Sequence, residues 1–179
     1  QIGEVILQTR GDPATQHAAG VYFKNTVKGF WQPEEGSGLS QQDKDAIKSR
    51  IVTLVLETTN TPVGEQVIYA LNLMAKHDFH ERWQQLMPEL NHMLWMAMQA
   101  NDYSKVESIR KIADEVFKRF RYVFKSDPLF IWLKYCLDNF QEPLTNVFRA
   151  AHSVIPQVQQ DAGNLALVLR VLRLCARIF

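Results

Sequence analysis

A strong charge of either sign is missing: 20 Lys and Arg stand against 19 Asp and Glu, a formal net of +1 over 179 residues. Without such a charge there is no whole-chain attraction for nucleic acid or acidic lipid, so neither is expected as a partner. Long apolar runs are missing as well. No stretch reaches the ~18 uncharged residues a spanning helix needs, so no membrane insertion is expected, and the first residues show no secretory pattern. There are only two cysteines, Cys136 and Cys175, both inside apolar helical stretches. They read as reduced core thiols of a cytosolic or nuclear protein. Absent too are a phosphate-cradling glycine loop, a Gly-x-Ser-x-Gly elbow and a His-Glu-x-x-His helix. An enzyme is therefore not expected, and no cofactor is implied. What the chain does have is apolar mass. With 46% hydrophobic and 22% charged residues it is no disordered chain, and at this length it buries roughly 70% of its unfolded surface.

The apolar residues recur at helical spacing. Ile47, Ile51, Leu54 and Val55 make one stripe; Val67, Leu71 and Met74 another; Ile109, Ile112, Val116 and Phe120 a third. Asp12-Pro13, Thr61-Pro62 and Asp127-Pro128 each offer a capping side chain followed by proline at the first helical position, where its missing N–H costs nothing. Ser40 with Asp43 is a weaker start of the same kind. The pattern predicts a short helix at 2–9 and helices at 13–31, 41–58, 62–76, 80–98, 103–122, 128–157 and 162–179. Pro88 and Pro143 are expected to kink their helices. No segment alternates with period two, so the fold class is all-α.

The helix starts recur at roughly 40–60 residues, the range of HEAT-type repeats. One helix pair cannot bury its own apolar face, so the expected architecture is an α–α superhelix of about four pairs: 2–9 (partial), 13–58, 62–98, 103–157 and 162–179 (partial). The chain opens on Gln1 and apolar residues and closes on Phe179 in an apolar stretch, so it reads as a piece of a longer polypeptide. In the last helix Leu165, Val168, Leu169, Val171, Leu172, Leu174, Cys175 and Ile178 nearly encircle the axis, leaving Arg170, Arg173 and Arg177 as a polar stripe. An exposed apolar patch is expected there.

Three stretches carry a family resemblance. Ala18-Ala19-Gly20-Val21-Tyr22-Phe23-Lys24-Asn25-Thr26-Val27-Lys28-Gly29-Phe30-Trp31 is similar to the N-terminal signature of the importin-beta superfamily. His77-Asp78-Phe79-His80-Glu81-Arg82-Trp83 is similar to an Asp-Phe-Pro-x-x-Trp-Pro turn that joins two helices in the same superfamily, with His80 and Gln84 in place of its prolines. Val116 to Arg121, Phe124 to Asp127, Leu133 to Phe140 and Pro143-Leu144 resemble the CAS/Cse1-type exportins in particular. That resemblance implies a non-catalytic N-terminal segment of a nuclear transport receptor. The implied partners are Ran in its GTP form, importin-alpha as cargo and nuclear pore proteins, with the protein shuttling between nucleus and cytoplasm. Another importin-beta karyopherin that acts as an importer, or an unrelated HEAT scaffold, stands as the alternative.

In such a solenoid the second helix of each pair lines the inner wall. On the helix at 80–98, Trp83, Leu86, Met87, Leu90, Leu94 and Ala97 share one face, and Arg82, Gln85, Glu89, His92 and Met96 share the opposite one. On 41–58 the outward set is Ser49, Arg50, Thr53 and Glu57, flanked by Lys44 and Lys48. These nine outward residues are the candidate Ran- or partner-facing set; an ordinary solvated face is the competing reading. Lys118, Arg119, Arg121 and Lys125, with Arg110 and Lys111, form a basic cluster that reads as a solvated or ion-pairing face rather than a nucleic-acid site. His77, Asp78, His80 and Glu81 match no standard zinc spacing, and Asp78 is expected to cap the helix that follows. Cys136 and His152 make no dyad, and Arg149 and Asp138 read as surface charges.

Overall fold

The computed structural model describes residues 6–8, 11–33, 36–58, 62–79, 81–118 and 127–178, without the side chains of 127, 128, 174, 177 and 178. Among these residues the chain is helical with no strand: α1 Pro13–Phe30, α2 Gln41–Glu57, α3 Pro62–Asp78, α4 Leu86–Gln99, α5 Tyr103–Lys118, α6 Asp127–Val158 and α7 Ala162–Ile178. Residues 6–8 form a helical turn before α1. No helix is long and apolar enough to cross a membrane among the described residues.

The starts follow local chemistry. Asp12 accepts hydrogen bonds from the backbone N–H groups of Ala14 and Thr15 at 3.1 and 3.2 Å, with Pro13 as the first helical residue. At α2 the Asp43 N–H donates to Ser40 Oγ at 3.1 Å, and that hydroxyl donates to the Asp43 carboxylate at 2.6 Å. Asp161 accepts from Gly163 and Asn164 at 3.0 Å to open α7. Asn101, at φ 53°, turns the chain between α4 and α5, a left-handed geometry that asparagine adopts more readily than most residues. Asp102 then accepts from the Lys105 N–H at 3.1 Å at the head of α5. Thr61 lies outside the described residues.

One start differs from expectation. The helix predicted from residue 80 begins at Leu86, because residue 79 and residues 81–85 stand outside any helix: Phe79 N–H donates to Ala75 O and Arg82 N–H to Asp78 O, while residue 80 lies outside the described residues. Asp78 is therefore the last residue of α3 and not a cap for α4, whose N-cap position, Gln85, makes no side-chain cap bond. Pro88 consequently falls in the first turn of α4, where no intrahelical bond is lost, rather than mid-helix. Pro143 does lie inside α6, a helix of 32 residues, and Pro156 lies in its last turn.

The chain divides into two compact units, residues 1–83 and 84–179. In the first, α3 packs against both α1 and α2. Gly20 on α1 explains the run of small residues in the first motif, since a Cβ there would come within 3.1 Å of Val63 Cγ1 on α3. In the second, α4 packs on α5 and α6, and α7 packs on α5 and α6. Each helix thus meets its neighbour in sequence or the next but one, as in stacked helical repeats. The stripes read from sequence form the cores: Ile51, Leu54 and Val55, Val67, Leu71 and Met74, and Ile109, Ile112 and Val116 are buried, while Ile47 is half-buried and Phe120 lies outside the described residues. Burying each such side chain contributes about 1.5–3 kcal/mol. On α7, Val168, Val171 and Cys175 are buried, Leu165 and Leu172 are half-buried, and Leu169 is 48% exposed. Cys136 and Cys175 are both buried.

Candidate functional site

The motif tryptophans of the first unit turn inward. Trp31 is 1% and Trp83 4% exposed. Between them lies Lys48, whose Nζ sits 2.7 Å from the Asp78 carboxylate and donates to Arg82 O at 2.9 Å. The ammonium also stands 5.8 Å from the Trp31 ring centre and 6.0 Å from that of Trp83. Lys44 Nζ also stands 5.7 Å from the Trp31 ring centre. Lys48, expected on the outward flank of α2, is thus buried: its long stem carries the charge inward to a carboxylate that needs a partner. Asp78 is held by two cations, Lys48 and Arg82; no group of metal-holding side chains occurs among the described residues, and His80 lies outside them.

The candidate partner-facing residues fall on two separate faces. Ser49, Arg50, Thr53 and Glu57 are exposed on α2, with the Ser49 hydroxyl donating to Ala46 O at 2.9 Å. On α4, His92 and Met96 are exposed and Glu89 is half-buried, and the Gln85 side chain just before the helix is exposed. Loss of hydration raises the Glu89 carboxyl above its ordinary value. Arg82, placed with these four by a continuous-helix reading, belongs instead to the turn before α4. There its guanidinium pairs with Asp78 at 3.2 Å and donates to His77 O at 3.0 Å. A carboxylate and a carbonyl at the end of α3 draw it back, and the helical register that would have aligned it with Gln85 is absent.

Of the basic cluster, Arg110 is not on a solvated face. It is wholly buried, and among the described residues none of its guanidinium nitrogens has a hydrogen-bond acceptor. Lys111 pairs with Glu107 at 3.3 Å, and Lys118 pairs with Glu115 and, at 3.9 Å, with Asp114. Arg119, Arg121 and Lys125 lie outside the described residues.

The second unit also holds a groove that the sequence reading did not single out. Pro88, Asn91, His92, Trp95, Met98 and Gln99 of α4 face Asp138, Asn139, Glu142, Asn146 and Val147 of α6 across a cavity of about 1030 Å³. Trp95 is 59% and Met96 52% exposed. A signal existed: Asn91, His92, Trp95, Met98 and Gln99 repeat at three- and four-residue spacing on one side of α4.

Residues 4–57 match the importin-beta N-terminal domain, and residues 116–179 match the Cse1 family. The importin-alpha re-exporter of Schizosaccharomyces pombe is 35% identical over 177 residues, 98% of this chain. Exportin-2 of Homo sapiens is 30% identical over 176 residues, 97% of this chain. Over nearly its whole length the chain is similar to Cse1-type exportins of the importin-beta superfamily. It spans 18% of the length of those two relatives. A solved structure described as the exportin Cse1 in its cargo-free, cytoplasmic state superposes with a TM-score of 0.88 at 28% identity, covering 98% of this chain and 19% of that one. The fold class of the family, all-α with helices stacked as HEAT repeats, is therefore the fold class here. In this chain the motif tryptophans, Asp78 and Gly20 lie where helices pack together.

Proposed function

We propose that the chain is a non-catalytic binding segment of a nuclear transport receptor that carries importin-alpha from nucleus to cytoplasm in a Ran-GTP-dependent cycle. The observation that carries the proposal is the pairing of two family matches in one chain, an importin-beta N-terminal domain at 4–57 and a Cse1 region at 116–179. The names of the relatives, an importin-alpha re-exporter and exportin-2, support the choice of cargo. On this reading the protein shuttles between nucleus and cytoplasm, contacts nuclear pore proteins on the way, and needs no cofactor. Ser49, Arg50, Thr53 and Glu57 on α2, Arg82 in the turn before α4, and Gln85, Glu89, His92 and Met96 along α4 are the proposed partner-facing side chains. The mechanism is conformational: Ran-GTP favours the cargo-holding arrangement of the stacked helices by binding it more tightly than the cargo-free one.

The test is a pull-down on the complete translated polypeptide that includes these residues, with Ran loaded with GTP or GDP and with importin-alpha present or absent. Retention of Ran-GTP over Ran-GDP, with importin-alpha recovered only alongside Ran-GTP, is expected. Equal recovery with both nucleotides overturns the proposal. Displacement of a bound cargo by Ran-GTP makes the protein an importer, and no Ran binding in either state makes it a scaffold.

A further inference from the structure

The groove between α4 and α6 has a chemistry of its own. Its α6 wall runs from Asp138 to Val154, about 24 Å at ~1.5 Å per residue, room for about seven residues of extended peptide at ~3.4 Å each. At about 1030 Å³ it lies at the upper end of small-molecule pockets, yet its mouth is lined by exposed side chains that enclose no compact ligand. Both walls carry side-chain amides, among them Asn91 and Gln99 on α4 and Asn146 on α6. An amide offers a donor and an acceptor together, the pair that an extended backbone needs when its own N–H and C=O groups have no strand beside them.

The charges in the groove are one-sided. Among the described residues Asp138 and Glu142 are its carboxylates and His92 its only basic side chain. Lys134 reaches Asp138 only at 4.0 Å, with both side chains mostly exposed, a pair that contributes little. Phosphate-bearing partners are repelled by such a lining. A lysine or arginine meets two carboxylates and the exposed Trp95 indole, on which an alkyl stem or a cation packs favourably.

We propose that this groove docks an extended peptide segment of a partner protein that carries spaced lysine or arginine residues, its backbone held by the groove amides and its cations by Asp138 and Glu142 beside Trp95. This assignment stands independently of the transport reading.

The test uses the 179-residue chain and a fluorescein-labelled ten-residue Gly/Ser peptide bearing three spaced lysines, compared with the same peptide bearing glutamates. The lysine peptide is expected to raise anisotropy and shift tryptophan emission, and the glutamate peptide to bind at least tenfold more weakly. Asp138→Asn with Glu142→Gln is expected to weaken the lysine peptide at least tenfold while leaving the thermal melt unchanged, since both residues are exposed. Trp95→Phe is expected to remove the emission change. Equal binding of the two peptides, no binding of the lysine peptide, or full affinity in the double variant overturns the proposal. So does sedimentation showing self-association that the double variant abolishes, because the groove would then belong to a second copy of the chain.

Discussion

Lys48 Nζ and the Asp78 carboxylate stand 2.7 Å apart with 7% and 6% of their side chains exposed, joining the middle of α2 to the end of α3. Breaking a buried pair from one side leaves a charge without its counterion, which typically costs about 3–5 kcal/mol. Arg82, at 3.2 Å from Asp78, compensates part of this. Lys48→Ala is therefore expected to lower stability by about 3 kcal/mol in urea unfolding. Lys48→Met with Asp78→Leu should be milder than the sum of the single changes, because neither charge is stranded. Strict additivity would show that the two groups are not coupled.

Arg110 poses the opposite case. Burial drives its guanidinium pKa down, against the opposing influence of Cys175 and Asp114, and its three nitrogens lack acceptors among the described residues. Replacing buried ionic groups with apolar side chains of similar size is often stabilising, by about 1–4 kcal/mol. Arg110→Met is expected to raise the thermal midpoint by roughly 2–4 °C for each kcal/mol gained. A lower midpoint would mean that buried water satisfies the guanidinium in solution.

Two kinds of carboxylate respond to acid in opposite ways. Loss of hydration raises Glu89 above its ordinary 4.5, so its ionised form costs stability at neutral pH, and that cost vanishes as pH falls below the unfolded value. Glu89→Gln should stabilise the chain at pH 7 and have no effect near pH 3. Hydrogen bonds lower Asp12 and Asp161 below their ordinary 3.8: from the Thr15 hydroxyl first for Asp12, and from the Asn164 N–H first for Asp161. Their contribution is present above that value and is lost as pH falls through the lowered pKa. Asp12→Asn with Asp161→Asn should flatten the acid limb of a melting-temperature profile below about pH 4.

At the entry to α2, Ser40→Ala removes the acceptor for the Asp43 N–H and is expected to cost about 1 kcal/mol. Gly38→Ala is expected to cost more. A Cβ there would lie 2.9 Å from Phe30 O and 2.8 Å from Pro33 Cδ, and a backbone oxygen bonded to Leu39 N–H has little freedom to move. Chemical denaturation of both variants checks the ranking.

Several of these features were legible in advance. Asp12, Ser40 and Pro62 mark helix starts because capping is a contact between residues two or three apart. Leu86, Met87, Leu90 and Leu94 could be placed on one buried face because helical spacing needs no knowledge of what lies opposite. The same spacing put Arg82 on the outward face of α4, and there it failed: the helix begins only at Leu86, and residues 81–85 before it are not helical. Trp95 and the amides around it repeat on α4 just as plainly, but a groove needs a second wall, and nothing in the sequence says that α6 supplies it.

The sequence alone determined an all-α chain, its main helix starts, the apolar stripes that form its cores and the motifs by which it resembles the Cse1-type exportins. Tertiary structure decided that Lys48 turns inward to Asp78, that Arg110 is buried with no acceptor among the described residues, and that α4 and α6 enclose a groove with two carboxylates. The division has one physical cause. Periodicity and capping act within one helix over a few residues, whereas the fate of a long charged side chain depends on what another helix brings within a few ångströms of it.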